Sequence, residues 1–152
     1  MSSPKWKLKH LTKQLSLKEA SGIILRARIR QLKKKSSTFL STDAAGDLHA
    51  VRIALRRVRY AMELFFDCYD KKKFLRLYSK IEYLQNASGA VRDNFMMQQN
   101  ISLLQDEQNN STAENLKSQA AEKEKRLNTQ FKDTLTDFLL SNELKDFTKL
   151  VR

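Results

Sequence analysis

The segment LHAVRIALRRVRYAMELF, from Leu48 to Phe65, carries four arginines and a histidine on a spacing that is typical of a buried helix. On a helical wheel of about 100° per residue, its apolar side chains fall within a sector of about 140°. The arginines and His49, together with Tyr60 and Glu63, lie on the opposite side, with Arg57 at one edge. The segment therefore predicts an amphipathic helix with one apolar face and one basic face.

The basic face has few acids to balance its charge. Arg52, Arg56 and Arg59 would form a row about 10 Å long. Glu63 can pair with Arg59 one turn away, but Arg52 and Arg56 have no acid at that spacing. Because a guanidinium group forks onto phosphate oxygens, the row favours a phosphate ligand. The alternative is a solvated face whose arginine stems cover apolar neighbours.

The composition favours long helices in a single domain. The chain has 152 residues, 41% of them hydrophobic, with only three glycines and one proline. This length is enough to bury a core, and strand-and-turn folds need more glycine and proline. We expect a basic arm over residues 1–16, followed by one helical bundle domain over residues 17–152.

The positions of the helices follow from caps and apolar spacing. Ser16 and Glu19 form a capping-box pattern for a first helix that is predicted to end near Lys35. Residues 36–47 are predicted to be a loop, with Asp47 as the cap of the basic helix. A third helix is predicted from residue 71, with a break at 88–89, then a fourth helix, a long helix over 113–140 and a short one over 143–151. The fold class is all-α, an antiparallel bundle of about five to six helices.

The charge is uneven along the chain. The net charge is +12, and residues 1–80 hold 20 Lys and Arg against 6 Asp and Glu, whereas residues 81–152 hold 9 against 11. Such an asymmetry favours a polyanionic partner, namely a nucleic acid, an acidic membrane surface or a phosphate polymer. A generally basic soluble protein is the alternative.

Catalysis and metal binding are not expected. Cys68 is the only cysteine, so neither an internal disulfide nor a cysteine metal site can form, which suits the cytoplasm. The two histidines, His10 and His49, lie in different segments, and no metalloprotease motif or phosphate-binding glycine loop is present. We expect a cytoplasmic protein that is not an enzyme, has no catalytic residue and needs no cofactor or metal.

Two motifs resemble those of a known family. The first is His49, an arginine three places on, a basic pair four and five places later, and then Arg59-Tyr60. The second is LQNASGAVRDNF, residues 84–95, with its Gly and Arg-Asp. In this order they closely resemble the CHAD domain, the conserved-histidine α-helical domain, over roughly residues 17–105, and the chain resembles one half of such a domain.

This resemblance implies binding of inorganic polyphosphate through a basic channel and association with polyphosphate granules. It nominates as ligands His49, Arg52, Arg56, Arg57, Arg59 and Arg92. It also implies supporting roles for Tyr60, Glu63 and Asp93, the last as a partner that orients an arginine. CHAD domains contain two similar bundles, whereas this chain has one arginine helix. A homodimer that completes the channel is therefore expected, with an open groove as the alternative.

Other basic residues are less certain ligands. Arg28 lies in the apolar stripe of the first helix, where it either reaches the anion site or lines an interface. Lys123 interrupts the inner line of the long helix and is a weaker candidate. Met96 and Met97 are expected in the core.

The principal alternative function is sequence-independent binding to the phosphate backbone of nucleic acids. A row of arginines along a packed helix suits phosphates better than base edges. Docking on an acidic protein is a third possibility. The sequence does not predict insertion into a membrane, because its apolar runs are too short.

Overall fold

The computed structural model describes residues 8, 10–108 and 111–152 of the chain. These residues form five α-helices and one 3-10 turn in the order α1 (Leu17–Thr42), α2 (Ala45–Leu64), the 3-10 turn (Phe66–Cys68), α3 (Lys71–Gln108), α4 (Ser111–Leu139) and α5 (Asn142–Leu150). The described part of the chain contains no strand, so the predicted all-α bundle is confirmed. Residues 1–7 and 9 of the predicted basic arm lie outside the described residues.

The start of α1 was predicted correctly, but its end was not. The Ser16 hydroxyl accepts the Glu19 amide at 3.2 Å, and the Glu19 carboxylate accepts the Ser16 amide at 2.8 Å. The predicted loop from residue 36 is instead helix as far as Thr42. Phe39 is buried, with its ring 5.9 Å from that of Phe131, and this packing outweighs the weak helix propensity of the serines and threonines.

The N-cap of the basic helix α2 lies three residues before the predicted cap, Asp47. Ala44 is its N-cap and makes no side-chain capping bond, while Asp47 lies in the first turn. The predicted apolar face is buried, including Val51, Leu55 and Val58 at 0% exposure. This burial fixes the rotation of α2, so its basic face points away from the core.

The predicted break at residues 88–89 is absent, and α3 continues through it. Gly89 has no positive φ, and the Ser88 hydroxyl donates to the Gln85 carbonyl at 2.8 Å, so neither residue needs a turn. Ser88 is fully buried within the bundle. Polar side chains that bond within the helix do not interrupt it.

The last two helices close the bundle against α3. Asn94 of α3 donates to the Ala120 carbonyl of α4 at 2.9 Å. Phe147 of α5 packs on Phe74 at 5.5 Å between ring centroids. Contacts of α1 with α2, α2 with α3 and α3 with α4 make consecutive helices neighbours. In the described residues no helix is long and apolar enough to cross a membrane.

Candidate functional site

The polar face of α2 carries most of the predicted ligands. His49 and Arg56 are exposed, and Arg52 is half-buried between α2 and α3. The positions of Arg52 and Arg56 follow from the burial of Val51 and Leu55, the residues that directly precede them in the chain. Of the predicted row, Arg56 is therefore exposed, whereas Arg52 and Arg59 are half-buried.

Arg52 has an unusual environment. Its Nε is buried, and among the described residues no group accepts a hydrogen bond from it. Burial, followed by the charges of Arg92 and Arg56, holds the pKa of Arg52 below its ordinary value, and Asp93 partly offsets this effect. A buried donor without an acceptor carries an energetic cost, which sets Arg52 apart from the exposed cations around it.

Arg92 and Asp93 reach this site from α3. Both are exposed, because Val91 and Asn94 on either side are buried and turn the helix surface outward between them. Among the described residues no ion pair within 4.0 Å joins Arg52, Arg56 or Arg92 to an acid. The second sequence motif thus adds a cation to the face of α2, with Asp93 near enough to influence Arg52.

Arg59 differs from its neighbours because α3 supplies partners for it. Its Nε donates to Glu63 Oε1 and to the Tyr78 hydroxyl, both at 3.1 Å. Its Nη1 lies 3.5 Å from Gln85 Oε1, and its Nη2 lies 3.9 Å from Glu82 Oε1. Two carboxylates therefore oppose this guanidinium, and Arg59 joins α2 to α3.

On the same helix, Glu63 is bonded to neighbouring side chains, whereas Tyr60 is exposed to solvent. Glu63 accepts from the Tyr78 hydroxyl at 2.6 Å, and this bond raises the pKa of Tyr78. Its pairing with Arg59, predicted from the sequence, is present at 3.1 Å. Tyr60 is 59% exposed, so its ring is open to a ligand.

Arg57, on another side of α2, lies near Arg28 of α1. Arg57 lines a groove of about 350 Å³ between α1 and α2 together with Gln31, Lys34 and Lys35. Arg28 is half-buried and donates to Gln31 at 3.2 Å. Burial and the charge of Arg57 lower the pKa of Arg28. The predicted ligands therefore form two basic surfaces.

Lys123 is exposed on α4, and the side chains that α4 contributes beside the basic face are Glu124 and Asn128. Together with His49, Arg52 and Arg92 they line a cleft of about 370 Å³. Met96 and Met97, which were expected in the core, are 45% and 43% exposed, so this prediction was wrong. The described residues contain no cluster of three or more His, Cys, Asp or Glu that could hold a metal ion.

Sequence reasoning missed the α3 partners of Arg59. Tyr78, Glu82 and Gln85 follow a spacing of four and three residues, which places them on one face of a helix. Tyr78 counts as an apolar residue in a search for core positions, so hydrophobic spacing does not reveal the polar character of this side. The spacing of these three polar side chains was the signal in the sequence from which the partners of Arg59 could have been predicted.

These observations define the class of protein, an all-helical bundle with an arginine-rich helix beside an Arg-Asp segment. The chain belongs to the CHAD domain family, whose model matches residues 3–102. The match includes both motifs and covers α1, α2 and most of α3. The family is often linked to polyphosphate binding. No curated protein and no solved structure shows significant similarity to the chain.

Proposed function

We propose that this protein binds inorganic polyphosphate on the face formed by α2 and the middle of α3, without catalysing a reaction. The observation that carries the proposal is the half-buried Arg52, whose buried Nε has no acceptor among the described residues and whose charged neighbours are Arg92 and Arg56. Three guanidinium groups without paired acids would each be relieved by a phosphate oxygen.

The chemistry of the side chains favours phosphate over a diffuse acidic surface. Each guanidinium can donate two parallel hydrogen bonds to one phosphate, whereas a lysine acts as a point charge. A polymer with one charge per repeat would release counterions from several such contacts at once. The groove with Arg57, Lys34 and Lys35 would extend the positive surface for a long chain. Attachment to polyphosphate granules is the cellular consequence that we propose.

A second copy of the chain is the proposed protein partner. A two-fold axis would bring together two arginine helices and double the number of phosphate contacts. Each copy would then supply one half of the channel that the family resemblance implies.

Nucleic-acid binding is the second candidate, and one observation favours it. Tyr60 is 59% exposed on the same helix as Arg56, so its ring could stack on a base while the arginines hold the backbone. Affinity for any strand would then depend steeply on salt.

A competition titration separates the two functions. Labelled long-chain polyphosphate is bound at physiological salt and displaced by unlabelled polyphosphate, duplex DNA or single-stranded RNA, compared per phosphate. We expect polyphosphate to compete at least tenfold better than either nucleic acid. Equal competition by duplex DNA would mean a general polyanion surface, and stronger competition by RNA would favour the stacking role of Tyr60.

A further inference from the structure

The cleft beside Arg52 has more than one kind of wall. Its volume is about 370 Å³, which lies within the range of small-molecule sites. Helices α2, α3 and α4 all contribute to it, together with the end of α1 and the turn that follows. Its lining residues are Phe39, Asp43, Ala44, Ala45, Leu48, His49, Arg52, Val91, Arg92, Phe95, Met96, Glu124 and Asn128.

The first wall is cationic. His49 and Arg52 come from α2, and Arg92 comes from α3. The start of α2 at Ala44 and Ala45 also lines the cleft, and Ala44 has no side chain that could cap the helix. Side-chain cations and free backbone N–H groups at a helix start act in the same direction, since both favour an anion.

The floor of the cleft is apolar, which inorganic polyphosphate does not require. Phe39 and Val91 are buried there, at 1% and 4% exposure. Phe95 and Met96 are 37% and 45% exposed, so they present open apolar surface beside the arginines. An aromatic ring or a methionine sulfur next to a cationic wall suits a ligand with both a phosphate and a flat ring.

Acidic side chains also line the cleft, and these would repel phosphate. Glu124 lies there with Asn128 and Asp43. Asp43 is already engaged by Lys132 at 2.8 Å and by Asn128 at 2.9 Å. The Glu124 carboxylate can only accept hydrogen bonds when it is ionised, so it favours a hydroxyl or amino group of the ligand.

We infer that this cleft binds a nucleoside triphosphate, with its phosphates on Arg52 and Arg92 and its base against Phe95 and Met96. The ribose hydroxyls or an amino group of the base would face Glu124. This inference rests on the proposed function insofar as both use the same arginines for phosphate. It adds a site for an organic group that a polymer of phosphate alone lacks.

The test is calorimetric titration with ATP and with inorganic tripolyphosphate, at physiological salt and without divalent cations. Tripolyphosphate supplies the same number of phosphates without a base. We expect ATP to bind about tenfold more tightly, although a diffuse basic surface would favour the more highly charged tripolyphosphate. The substitution Met96→Ser should weaken ATP binding about fivefold and leave tripolyphosphate binding unchanged.

Met97→Ser is the matched control, because Met97 is equally exposed at 43% and does not line the cleft. The inference is overturned if tripolyphosphate binds as tightly as ATP, or if both methionine variants have the same affinity for ATP. Circular dichroism verifies that both variants keep their helices.

The two proposals fail in different ways. If the ATP preference is absent while long-chain polyphosphate still binds at Arg52, only the nucleotide site is wrong. If ATP binds with the expected dependence on Met96 but long-chain polyphosphate does not bind, the polymer function is wrong and the nucleotide site stands.

Discussion

Arg59 Nε lies 3.1 Å from the Tyr78 hydroxyl, and that hydroxyl donates in turn to Glu63 at 2.6 Å. The three side chains connect the last turns of α2 to α3. The family resemblance nominates Arg59 as a phosphate ligand. The fold, however, already supplies this guanidinium with hydrogen-bond partners. The next residue of the row, Arg56, is exposed and has no acid within 4.0 Å among the described residues.

Arg59→Gln should therefore affect stability more than binding. We expect the melting temperature to fall by about 2–4 °C, because Glu63 and Glu82 lose their cation. The loss is modest because solvent partly screens these ion pairs. Affinity for long-chain polyphosphate should fall less than twofold. Arg56→Gln is the control on the same helix and should show the reverse, with weaker binding and an unchanged melting temperature. Weaker binding by both variants to the same degree would mean that Arg59 leaves its partners to hold the ligand.

Arg56→Glu should weaken polyphosphate binding far more than Lys34→Glu, while both variants stay helical. Arg56 is beside Arg52, whereas Lys34 lines the separate groove with Arg57. We expect a loss of at least tenfold for the first variant and about twofold for the second, because a charge reversal at the site replaces two hydrogen bonds with repulsion. The measurement is displacement of labelled polyphosphate at 0.15 M salt. Equal losses would indicate a diffuse charge effect.

Arg92→Gln tests the contribution of α3 to the same face. We expect an affinity loss of about fivefold, because Arg92 is exposed and lies near Arg52 without a paired acid among the described residues. Arg76→Gln is the matched control, since Arg76 is also an exposed arginine of α3. If the two substitutions weaken binding equally, the second motif has no special role.

Gly89→Ala should stabilise the protein by about 0.5–1 kcal/mol, since alanine has the higher helix propensity. A Cβ at Gly89 would meet no atom within 4 Å. Gly22→Ala is the contrasting substitution, because its Cβ would lie 2.9 Å from the Val151 carbonyl oxygen. Urea unfolding measures the free energy of unfolding of each of the two variants. A destabilised Gly89→Ala protein would contradict the continuous helix α3.

Asp43→Asn should remove an ion pair that depends on pH. Hydrogen bonds from Lys132 and Asn128 lower the pKa of Asp43. A carboxylate with a lowered pKa stabilises the fold above its unfolded pKa of about 3.9, and this contribution is lost as the pH falls through the folded value. Asparagine also tolerates the φ of 55° at this position, so the backbone is preserved.

We expect Asp43→Asn to be less stable than the natural protein by about 0.5 kcal/mol at pH 7, because the pair is half-exposed. The difference should shrink as the pH falls from the unfolded pKa of about 3.9 through the lower folded pKa of Asp43, because the carboxylate then takes up its proton. Lys132→Gln should give a similar difference at pH 7. Urea unfolding at pH 7 and at a series of lower pH values measures it, and a difference that does not shrink as the pH is lowered would exclude the ion pair as its cause.

Most of the fold could be predicted from local patterns, and the failures share one cause. The cap at Ser16 and the apolar face of α2 depend on residues within a few positions of each other. The helix through residues 36–42 depends instead on Phe39, which packs on Phe131, 92 residues later in the chain. Propensity cannot include a contact of that kind.

The candidate site shows the same division. The basic row and the Arg92 segment could be recognised, because each is a continuous motif. Arg57 and Arg52 line different grooves because α1 and α3 pack on different sides of α2. Glu124 lines the cleft beside Arg52 because α4 packs there. Distances between helices decide these features, and no spacing within one segment encodes them.

The charge of Arg52 also bears on how a bound anion would leave. Guanidinium groups keep their proton throughout the physiological pH range, so a change of pH within it would not remove the charge that Arg52 and Arg92 offer to an anion. Rising ionic strength or a competing polyanion can release the anion, since both act on the charge that the arginines share with the ligand. Turnover of bound phosphate on this protein would therefore proceed by exchange, at a rate set by whatever other anions surround it.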